Sequence, residues 1–586
     1  MGLVTLHYGH SLNDETRITT VQDFNGVFMP VIQDADFEDF IIESKSENEL
    51  KGSDYTFIDP DAAYLILQKL DVYEPVADSY HNNYTLYNKS FLGLIRNDDY
   101  CDNHRRYFAE NSKLLFEHVN YYTDFNPTSI MRKNVISVAG KDLHPEIGIH
   151  MPQTLQNQST INLKHEINVF YSTSHIQNHL RMGQHYSCLS QASNDIPGRD
   201  RLNRKDYIAA AVTDYTKQYE DRPHCFNYDK FFPETWVLQN VTQCKEFFDK
   251  FNGQEYQQAK EERKIVYISK IGAGSHRAEG VQPVDEQEEQ RLRKLYQNGS
   301  LCGRVKNNLI VQHYIANPLL LHGHKFDFRM YMVIASTNPV IAYYHDGFLR
   351  VSLHQYDVNS TDKGTLLTNT ALSYSAFDLA KRNGTFAGMT ETELKNFQIW
   401  SFARLQDHLL ERGLITDQNW LNNYLRPEFK KAMIHLIRLT QEPFLVQSSI
   451  YELFGVDFML DDNLNLWFIE ANSNPMLVGG SEEKEKFVTQ MLKDQLEIVV
   501  GLLRSRMKRV ISYVNSLIEE EEAWMLSSDD VYISGLKSKK AKFAELIKNR
   551  FEPEFEPSSG NGFQKIIDEN YGDVDRYLGL IGPECL

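Results

Sequence analysis

Two carboxylates and an amide in this chain are spaced so that they could bind a divalent cation. The stretch 454–472 holds two apolar runs separated by a polar turn. A hairpin with a four-residue loop at 462–465 sets Asp457 directly opposite Glu470, and strand alternation places Asn472 on the same face as Glu470. Facing carboxylates repel each other, and their oxygens suit Mg²⁺. The alternative is a surface hairpin whose acids are simply solvated.

A glycine-rich loop after a predicted strand could bind phosphate. The strand over 264–270 ends in Lys270, and the small-residue loop 271–281 that follows includes Gly274. Glycines let backbone N–H groups approach anionic oxygens, and a lysine supplies a point charge. Hairpin loops rich in glycine are also common in proteins without a ligand, so the loop alone leaves that alternative open.

Charged residues alternate with phenylalanines along another predicted strand. Lys325, Asp327 and Arg329 fall on one face of it, and Arg350 follows on the next strand after a turn. Such a row forms either a functional site or the solvated face of an antiparallel sheet. The apolar strand over 309–315 leads into a loop, a placement that could offer backbone hydrogen bonds to an adenine ring.

Length and composition indicate a folded protein of several domains. The chain has 586 residues, 41% hydrophobic and 12% aromatic, so we expect roughly two to four domains. A net charge of -19 argues against a general nucleic-acid binder, and the apolar runs are too short to span a bilayer. The six cysteines lack metal-ligand spacing, and the N-terminus lacks a signal-peptide profile. We therefore predict a reducing, cytoplasmic setting.

The chain divides into three predicted parts. Residues 1–160 form an acidic N-terminal extension to which we assign no chemistry, 161–500 form the main domain, and 501–586 form a helical C-terminal extension. Apolar periodicity after Ser481 predicts a long helix. Two basic clusters of the C-terminal part could bind acidic polypeptides, or they could be an ordinary solvated helix face. These clusters comprise Arg504, Arg506, Lys508 and Arg509, and then Lys537, Lys539, Lys540 and Lys542.

The order and wording of these motifs resemble the tubulin tyrosine ligase-like family over roughly 165–500. The resemblance implies an α+β fold with an ATP-grasp core, in which two lobes clasp ATP, preceded by a small α/β domain. The motifs that carry it are Leu202 to Asp206, Phe231 to Thr235, Lys270 with its loop, Gln312 to Pro318, Lys325 to Arg329, Leu349-Arg350, Leu367 to Asn369, Gly455 to Leu460 and Trp467 to Asn472.

The resemblance also implies a reaction and a set of roles. The reaction is ATP-dependent ligation of glutamate or glycine to the acidic C-terminal tails of tubulin, through an acyl phosphate, by a protein of the cytoplasmic microtubule cytoskeleton and of the cilium or flagellum axoneme. Free amino acid and tubulin are the implied partners, and neither nucleic acid nor membrane is expected. The implied roles are catalysis by Arg329, Arg350 and Glu470, nucleotide binding by Lys270, Gly274, Gln312, Tyr314, Lys325, Asp327 and Asn369, and Mg²⁺ binding by Asp457, Glu470 and Asn472.

The chain departs from the family pattern at positions that bear on activity. Leu366 stands where the family has histidine, Ile271 stands where proline usually follows the lysine, and Arg277 or Ala278 occupies a position normally held by glycine. The intact magnesium set favours an active ligase. The alternatives are a catalytically silent protein that binds microtubules or axonemes, and an ATP-grasp ligase acting on a small molecule or a protein other than tubulin.

Overall fold

A computed structural model describes most of the chain. The described residues are 19–22, 28–31, 55–70, 98–117, 121–123, 168–171, 188–194, 196, 198–222, 225–263, 265–272, 280–304, 308–368, 386, 388–444, 448–473, 475–477, 481–519, 532–549, 557–569 and 585.

Within these residues the chain forms a mixed α+β fold. The strands are β1 Thr19–Gln22, β2 Phe28–Val31, β3 Tyr121–Thr123, β4 Val169–Tyr171, β5 Ala192–Asn194, β6 Thr235–Val237, β7 Tyr267–Ile271, β8 Val281–Pro283, β9 Leu309–His313, β10 Leu320–Leu321, β11 His324–Thr337, β12 Val340–Gln355, β13 Ile399–Trp400, β14 Ile450–Leu460, β15 Leu466–Asn472 and β16 Gln564–Asp568. The helices are α1 Pro60–Leu70, α2 Asp98–Glu117, α3 Asp200–Asn203, α4 Lys205–Gln218, α5 Val241–Asn252, α6 Gln254–Glu262, α7 Glu286–Gln297, α8 Lys363–Leu366, α9 Glu391–Gln398, α10 Phe402–Glu411, α11 Arg426–Thr440, α12 Glu482–Glu519 and α13 Tyr532–Leu546.

Two of the sheets correspond to the two lobes that the sequence predicts. The larger one has the strand order β13-β12-β11-β14-β5-β4-β3, with β10, β15 and β16 paired at its sides. The smaller one is antiparallel, in the order β6-β9-β7-β8. Strands β11 and β14 are buried along their whole length, because apolar side chains on one face pack against helices such as α11. The predicted α+β class is confirmed.

The hairpin of β14 and β15 pairs Asp457 with Glu470 as predicted, but it does so with a longer loop and a bulge. The loop has five residues, 461–465, rather than four, because the Asp461 carboxylate accepts hydrogen bonds from the backbone N–H groups of Asn463 and Asn465. That longer loop alone would shift every pair by one. A bulge at Ile469 restores the register, so Asp457 does pair with Glu470.

The helix predicted after Ser481 is confirmed as α12, and it is the spine of the first hydrophobic cluster. Its apolar residues are buried against α1, α2 and the large sheet. The helix runs past residue 500 without a break, and Asn515 exchanges hydrogen bonds with the backbone of Thr56 and Ile58. The proposed boundaries at residues 160 and 500 stay predictions.

At Arg504 and Arg506 the first basic cluster of the C-terminal part is neither an exposed docking face nor a solvated helix face, so both interpretations of it were wrong there. Arg506 is 2% exposed and donates hydrogen bonds to the carbonyls of Leu189 and Gln191. Arg504, also buried, donates to the carbonyl of Phe116. A guanidinium group has five N–H donors, so one arginine can donate to several backbone carbonyls. Arg504 and Arg506 therefore serve internal hydrogen bonding rather than contact with a partner.

The cysteines also differ from the sequence prediction. All six are paired, as Cys101–Cys188, Cys225–Cys585 and Cys244–Cys302. The spacing of the cysteines carries no sign of these pairs, because partners far apart in the sequence meet only in the folded chain. No helix among the described residues combines the length and the apolarity needed to cross a membrane.

Candidate active site

The predicted charged residues form one row across the large sheet. Arg350 on β12 pairs in register with Asp327 on β11, and its guanidinium donates to both Asp327 oxygens at 2.6 and 2.9 Å. Arg329 pairs in register with Asp457 and donates to its two oxygens at 2.5 and 2.9 Å. Arg350 also reaches Asp457, at 2.8 Å. Three strands therefore bring four predicted residues together, and Glu470 on β15, which pairs in register with Asp457, is the fifth.

This row is buried, so the solvated-face alternative is wrong for it. Lys325, Asp327, Arg329 and Asp457 are between 2% and 7% exposed. Burial raises the pKa of Asp327, and the neighbouring Asp457 charge adds to that, against the opposing pull of Arg350. The charges of Asp327 and Asp457 together raise the pKa of Arg350 despite its burial. Buried charges persist only when paired, and here arginines and carboxylates alternate.

Lys325 lies between two tyrosines and a backbone carbonyl. Its ammonium donates to the Tyr314 hydroxyl at 3.1 Å and to the Leu366 carbonyl at 3.0 Å, and it lies 5.6 Å from the centre of the Tyr356 ring. Burial lowers the pKa of Lys325 to about 7. The Leu366 side chain is fully buried beside Tyr314, while Thr368 donates its hydroxyl proton to Asp327. Leu366, the residue that differs from the family pattern, thus contacts the site through its backbone carbonyl.

Lys270 stands where the small sheet approaches the hairpin. Its ammonium donates to the side-chain oxygen of Gln312 at 2.5 Å, and Gln312 in turn donates to the Thr235 hydroxyl. Burial and the nearby Lys205 charge lower the pKa of Lys270 to about 8. The small space between Lys270 and Glu470 is lined by both lobes. Gln312, predicted beside adenine, therefore contacts Lys270, the lysine predicted to bind phosphate.

Two lysines of the site were missed by sequence reasoning. Lys205 forms an ion pair with Glu470 at 3.0 Å. Lys484 lies over the Phe348 ring at 5.7 Å, and burial together with the charges of Arg329 and Arg350 lowers its pKa to about 8. Each lysine sits in the first turn of a helix, α4 and α12, where the helix dipole disfavours a cation. That unfavourable placement is the signal that could have revealed them.

The described part of the site carries more positive than negative charge. Six cationic side chains surround three carboxylates, so the group needs further anions for neutrality. The cations are Lys205, Lys270, Lys325, Arg329, Arg350 and Lys484, and the carboxylates are Asp327, Asp457 and Glu470. Burial lowers the pKa values of Lys270, Lys325 and Lys484, and the neighbouring cations lower them further. A polyphosphate and a substrate carboxylate would supply the missing charge.

The chemistry of the predicted metal ligands fits Mg²⁺ best at the end of the hairpin. Burial alone would raise the pKa of Glu470, but Lys205 and the Asn472 amide hold it below the ordinary value. Asn472 donates to Glu470 at 3.1 Å, so its amide oxygen and the carboxylate form a pair of hard donors. Both oxygens of Asp457 already accept from arginines. Among the described residues, no three His, Cys, Asp or Glu side chains are grouped as a metal site.

Two predicted site residues, Gly274 and Asn369, lie outside the described residues, as do Arg277 and Ala278. The base of the loop is described. Gly272 lies so close to the start of α4 that a Cβ there would come within 2.7 Å of the Asp206 Cβ, and its carbonyl accepts from the Lys205 N–H at 3.1 Å. The loop is therefore anchored to the helix that supplies Lys205.

Comparison with known families agrees with this geometry. The family described as the tubulin-tyrosine ligase family matches residues 181–508, more than half of the chain. The chain belongs to this family. The predicted resemblance is thereby confirmed, and the match extends from before the small sheet into α12.

Individual relatives are distant and carry different activities in their names. The chain is 27% identical over 336 residues to the human inactive polyglycylase TTLL10, covering 55% of this chain and 46% of that protein. It is 26% identical over 267 residues to human tubulin monoglycylase TTLL3, covering 45% and 33%. It is 25% identical over 338 residues to mouse tubulin monoglutamylase TTLL4, covering 56% and 25%. The chain thus spans half or less of the length of these relatives.

Proposed function

We propose that this protein is an ATP-dependent ligase that joins glycine or glutamate to the carboxylates of tubulin tails. The single observation that carries the proposal is the buried row of alternating arginines and carboxylates, flanked by lysines and short of negative charge. The names of the relatives, which include glycylases and a glutamylase, support tubulin as the acceptor and leave two amino acids as donors.

The proposed reaction has two steps that need no covalent enzyme nucleophile. The acceptor carboxylate attacks the γ-phosphorus of ATP, the bond to ADP breaks, and an acyl phosphate forms. The amino group of the free amino acid then attacks the acyl carbon, phosphate leaves with its bonding electrons, and the amine loses a proton. Lys270 and Lys325 bind phosphate oxygens, while Arg329 and Arg350 stabilise the anionic tetrahedral intermediate.

Asp457 and Asp327 have a positioning role in this proposal. Each holds a guanidinium through two oxygens, so the arginines stay aimed at the reaction centre. Glu470 and Asn472 would hold Mg²⁺, which would neutralise charge on the phosphates. Lys205 keeps Glu470 ionised and ready to bind the metal.

The experiment that tests the ligase proposal is direct. Purified protein is incubated with microtubules, Mg-ATP and one isotopically labelled amino acid at a time, and tail masses are read by mass spectrometry. We expect added mass with glycine or glutamate that depends on ATP. Microtubules whose tails have been removed by protease are the control. No incorporation of any amino acid, with native protein that binds ATP, would contradict the proposal.

A catalytically silent microtubule-binding protein is the second candidate. Leu366 favours it, because an alkyl group buried beside Tyr314 cannot hydrogen-bond an intermediate, and one relative is named as inactive. The two candidate functions differ in whether ATP is consumed. An active ligase forms ADP over many turnovers only when both acceptor and amino acid are present, because the first step alone leaves the acyl phosphate unconsumed. A silent protein pellets with microtubules and leaves ATP intact.

We also propose the cytoplasmic microtubule cytoskeleton, in a cilium or flagellum axoneme, as the place of action. The tubulin-modifying activities named for relatives support this place. The three disulfides favour an oxidising compartment instead, because such bonds are rare where thiols are kept reduced. Alkylation of free thiols in freshly lysed cells, followed by mass spectrometry, decides between a reducing and an oxidising compartment. Six alkylated cysteines would favour the cytoplasm, and protected pairs would favour an oxidising compartment.

A further inference from the structure

A second cavity lies beside residues 345–347 of β12. Its volume is about 830 Å³, within the usual range of ligand sites. Helices α10, α11 and α12 and the segment before β16 form its walls, and exposed residues at 422, 560, 562 and 564 form its rim. None of the residues predicted from sequence as catalytic or nucleotide-binding lines it.

One wall of this cavity presents hydrogen-bond acceptors. Gln490 is 9% exposed, and its side-chain nitrogen donates to the Asp494 carboxylate at 2.7 Å, which fixes the orientation of the amide. No described residue donates a hydrogen bond to the remaining Gln490 oxygen. A buried acceptor without a donor costs free energy, so this wall needs a ligand or a water that carries N–H or O–H groups.

The opposite wall is suited to a carboxylate. Lys430 on α11 lines the cavity, lies 5.3 Å from the centre of the Tyr344 ring and donates to the side-chain oxygen of Gln564, which also lines the cavity. The first turn of α10 also lines it, and the first N–H groups of a helix have no intrahelical acceptors. The N-cap is Ser401. A helix N-terminus next to a lysine attracts a negative group. Phe402 and Phe487 add apolar surface between the two walls.

The cavity adjoins the row of arginines through shared backbone. Gly347 lines the cavity, and a Cβ built on it would fall 1.6 Å from the Arg329 carbonyl oxygen, so only glycine allows this approach. Phe487, on another wall, packs against Phe348, whose ring lies beneath the Lys484 ammonium. A ligand in the cavity therefore sits against residues that also support the site.

We propose that this cavity binds a peptide segment of the acceptor polypeptide, a proposal that rests on the proposed function. A peptide offers main-chain N–H groups to the Gln490 oxygen and an acidic side chain to Lys430 and the start of α10. The volume accommodates a few residues. Apart from His345, the ionisable lining residues Asp346, Asp494, Arg426 and Lys430 balance in charge, so recognition depends on the position of the groups and not on a net positive surface.

The test measures binding of a fluorescent peptide of alternating glycine and glutamate by anisotropy, with and without Mg-ATP. Lys430→Glu should weaken binding about tenfold or more, because an attractive contact becomes repulsive. Ala403→Trp, which fills the cavity from the start of α10, should weaken it similarly. The matched control is Lys431→Glu, the same charge change at a neighbour that pairs with Glu428 and does not line the cavity.

The outcomes separate this proposal from the ligase itself. Peptide binding that both cavity variants weaken and the control does not, with unchanged thermal stabilisation by Mg-ATP, supports the cavity even where no amino acid is incorporated. If both cavity variants incorporate amino acid with the same acceptor KM as the unmodified protein, the proposal that the cavity binds the acceptor is overturned, and the proposal that the protein is a ligase stands. Peptide binding to both variants as tight as to the unmodified protein, or no binding to any of them, also overturns it.

Discussion

Replacing Glu470 with glutamine should separate catalysis from stability. The substitution keeps the size of the side chain and one oxygen acceptor but removes the negative charge that faces Lys205 at 3.0 Å. In our proposal the same charge holds Mg²⁺. We therefore expect ligase turnover to fall by about 100- to 1000-fold, the range seen when one preorganised electrostatic contact is lost, while the protein stays folded.

The expected stability change is small because the ion pair is partly solvated. The side chain of Glu470 is 27% exposed, and that of Lys205 is 15% exposed. Water and the other cations of the site screen the pair, so its loss should cost about 1 kcal/mol. The melting temperature should then drop by no more than about 2–4 °C.

Glu452→Gln is the matched control, since it makes the same chemical change on β14. Glu452 is 1% exposed and accepts from the Arg199 guanidinium at 2.9 Å and from the Ile196 N–H at 3.0 Å. Removing one partner of a buried ion pair costs about 3 kcal/mol. This variant should lose more stability than Glu470→Gln, and its folded fraction should keep its turnover.

The assay compares amino-acid incorporation per folded molecule with the melting temperature of each variant. The two variants should rank in opposite order on the two measurements. Turnover in Glu470→Gln at the level of the unmodified protein would refute the metal assignment. A melting temperature lower than that of Glu452→Gln would refute the reasoning that ranks the two ion pairs by burial.

Three further results are expected. Binding of Mg-ATP, measured by calorimetry, should weaken at least about tenfold from pH 7 to pH 9, because Lys325, with a pKa of about 7 when buried, must take up a proton to face phosphate. Lys325→Arg should flatten that dependence. The unliganded fold should gain stability over the same interval, since the unfolded chain holds the Lys325 proton more tightly. Arg506→Leu should lower stability by about 3 kcal/mol without altering Mg-ATP binding, whereas Lys508→Leu should be nearly neutral. Leu366→Ala should cost about 2–5 kcal/mol in chemical denaturation, and a smaller loss would contradict its placement in the buried cluster.

The sequence was most informative where strand periodicity fixes which side chains share a face. Lys325, Asp327 and Arg329 needed only alternation with phenylalanine to be placed on one face, and the structure pairs two of them with Arg350 and Asp457. The long helix after Ser481 followed from apolar spacing in the same way. These features depend on local geometry, which short stretches of sequence encode.

Long-range features were the ones that sequence reasoning missed. The burial of Arg506 depends on carbonyls more than 300 residues away in the chain, and spacing of basic residues carries no sign of them. Lys205 reaches Glu470 across the two lobes, again without a local pattern beyond an unfavourable helix position. The pairing of Asp457 with Glu470 was right although the loop was longer than predicted, because a bulge compensated for the added residue.

Leu366 shows how the site can tolerate a departure from the family pattern. The contact that the structure records there is made by the backbone carbonyl, which accepts from Lys325 and from the Tyr314 hydroxyl, so it does not require a particular side chain. The alkyl group instead packs beside Tyr314 and excludes water from the lysine. Excluding water lowers the local dielectric. This disfavours the charged form of Lys325 while no ligand is bound, and it strengthens the contact of the ammonium with phosphate once a ligand binds. The substitution therefore removes one hydrogen-bonding group while preserving the electrostatic part of the proposed mechanism, and that part rests on the arginines and lysines that remain.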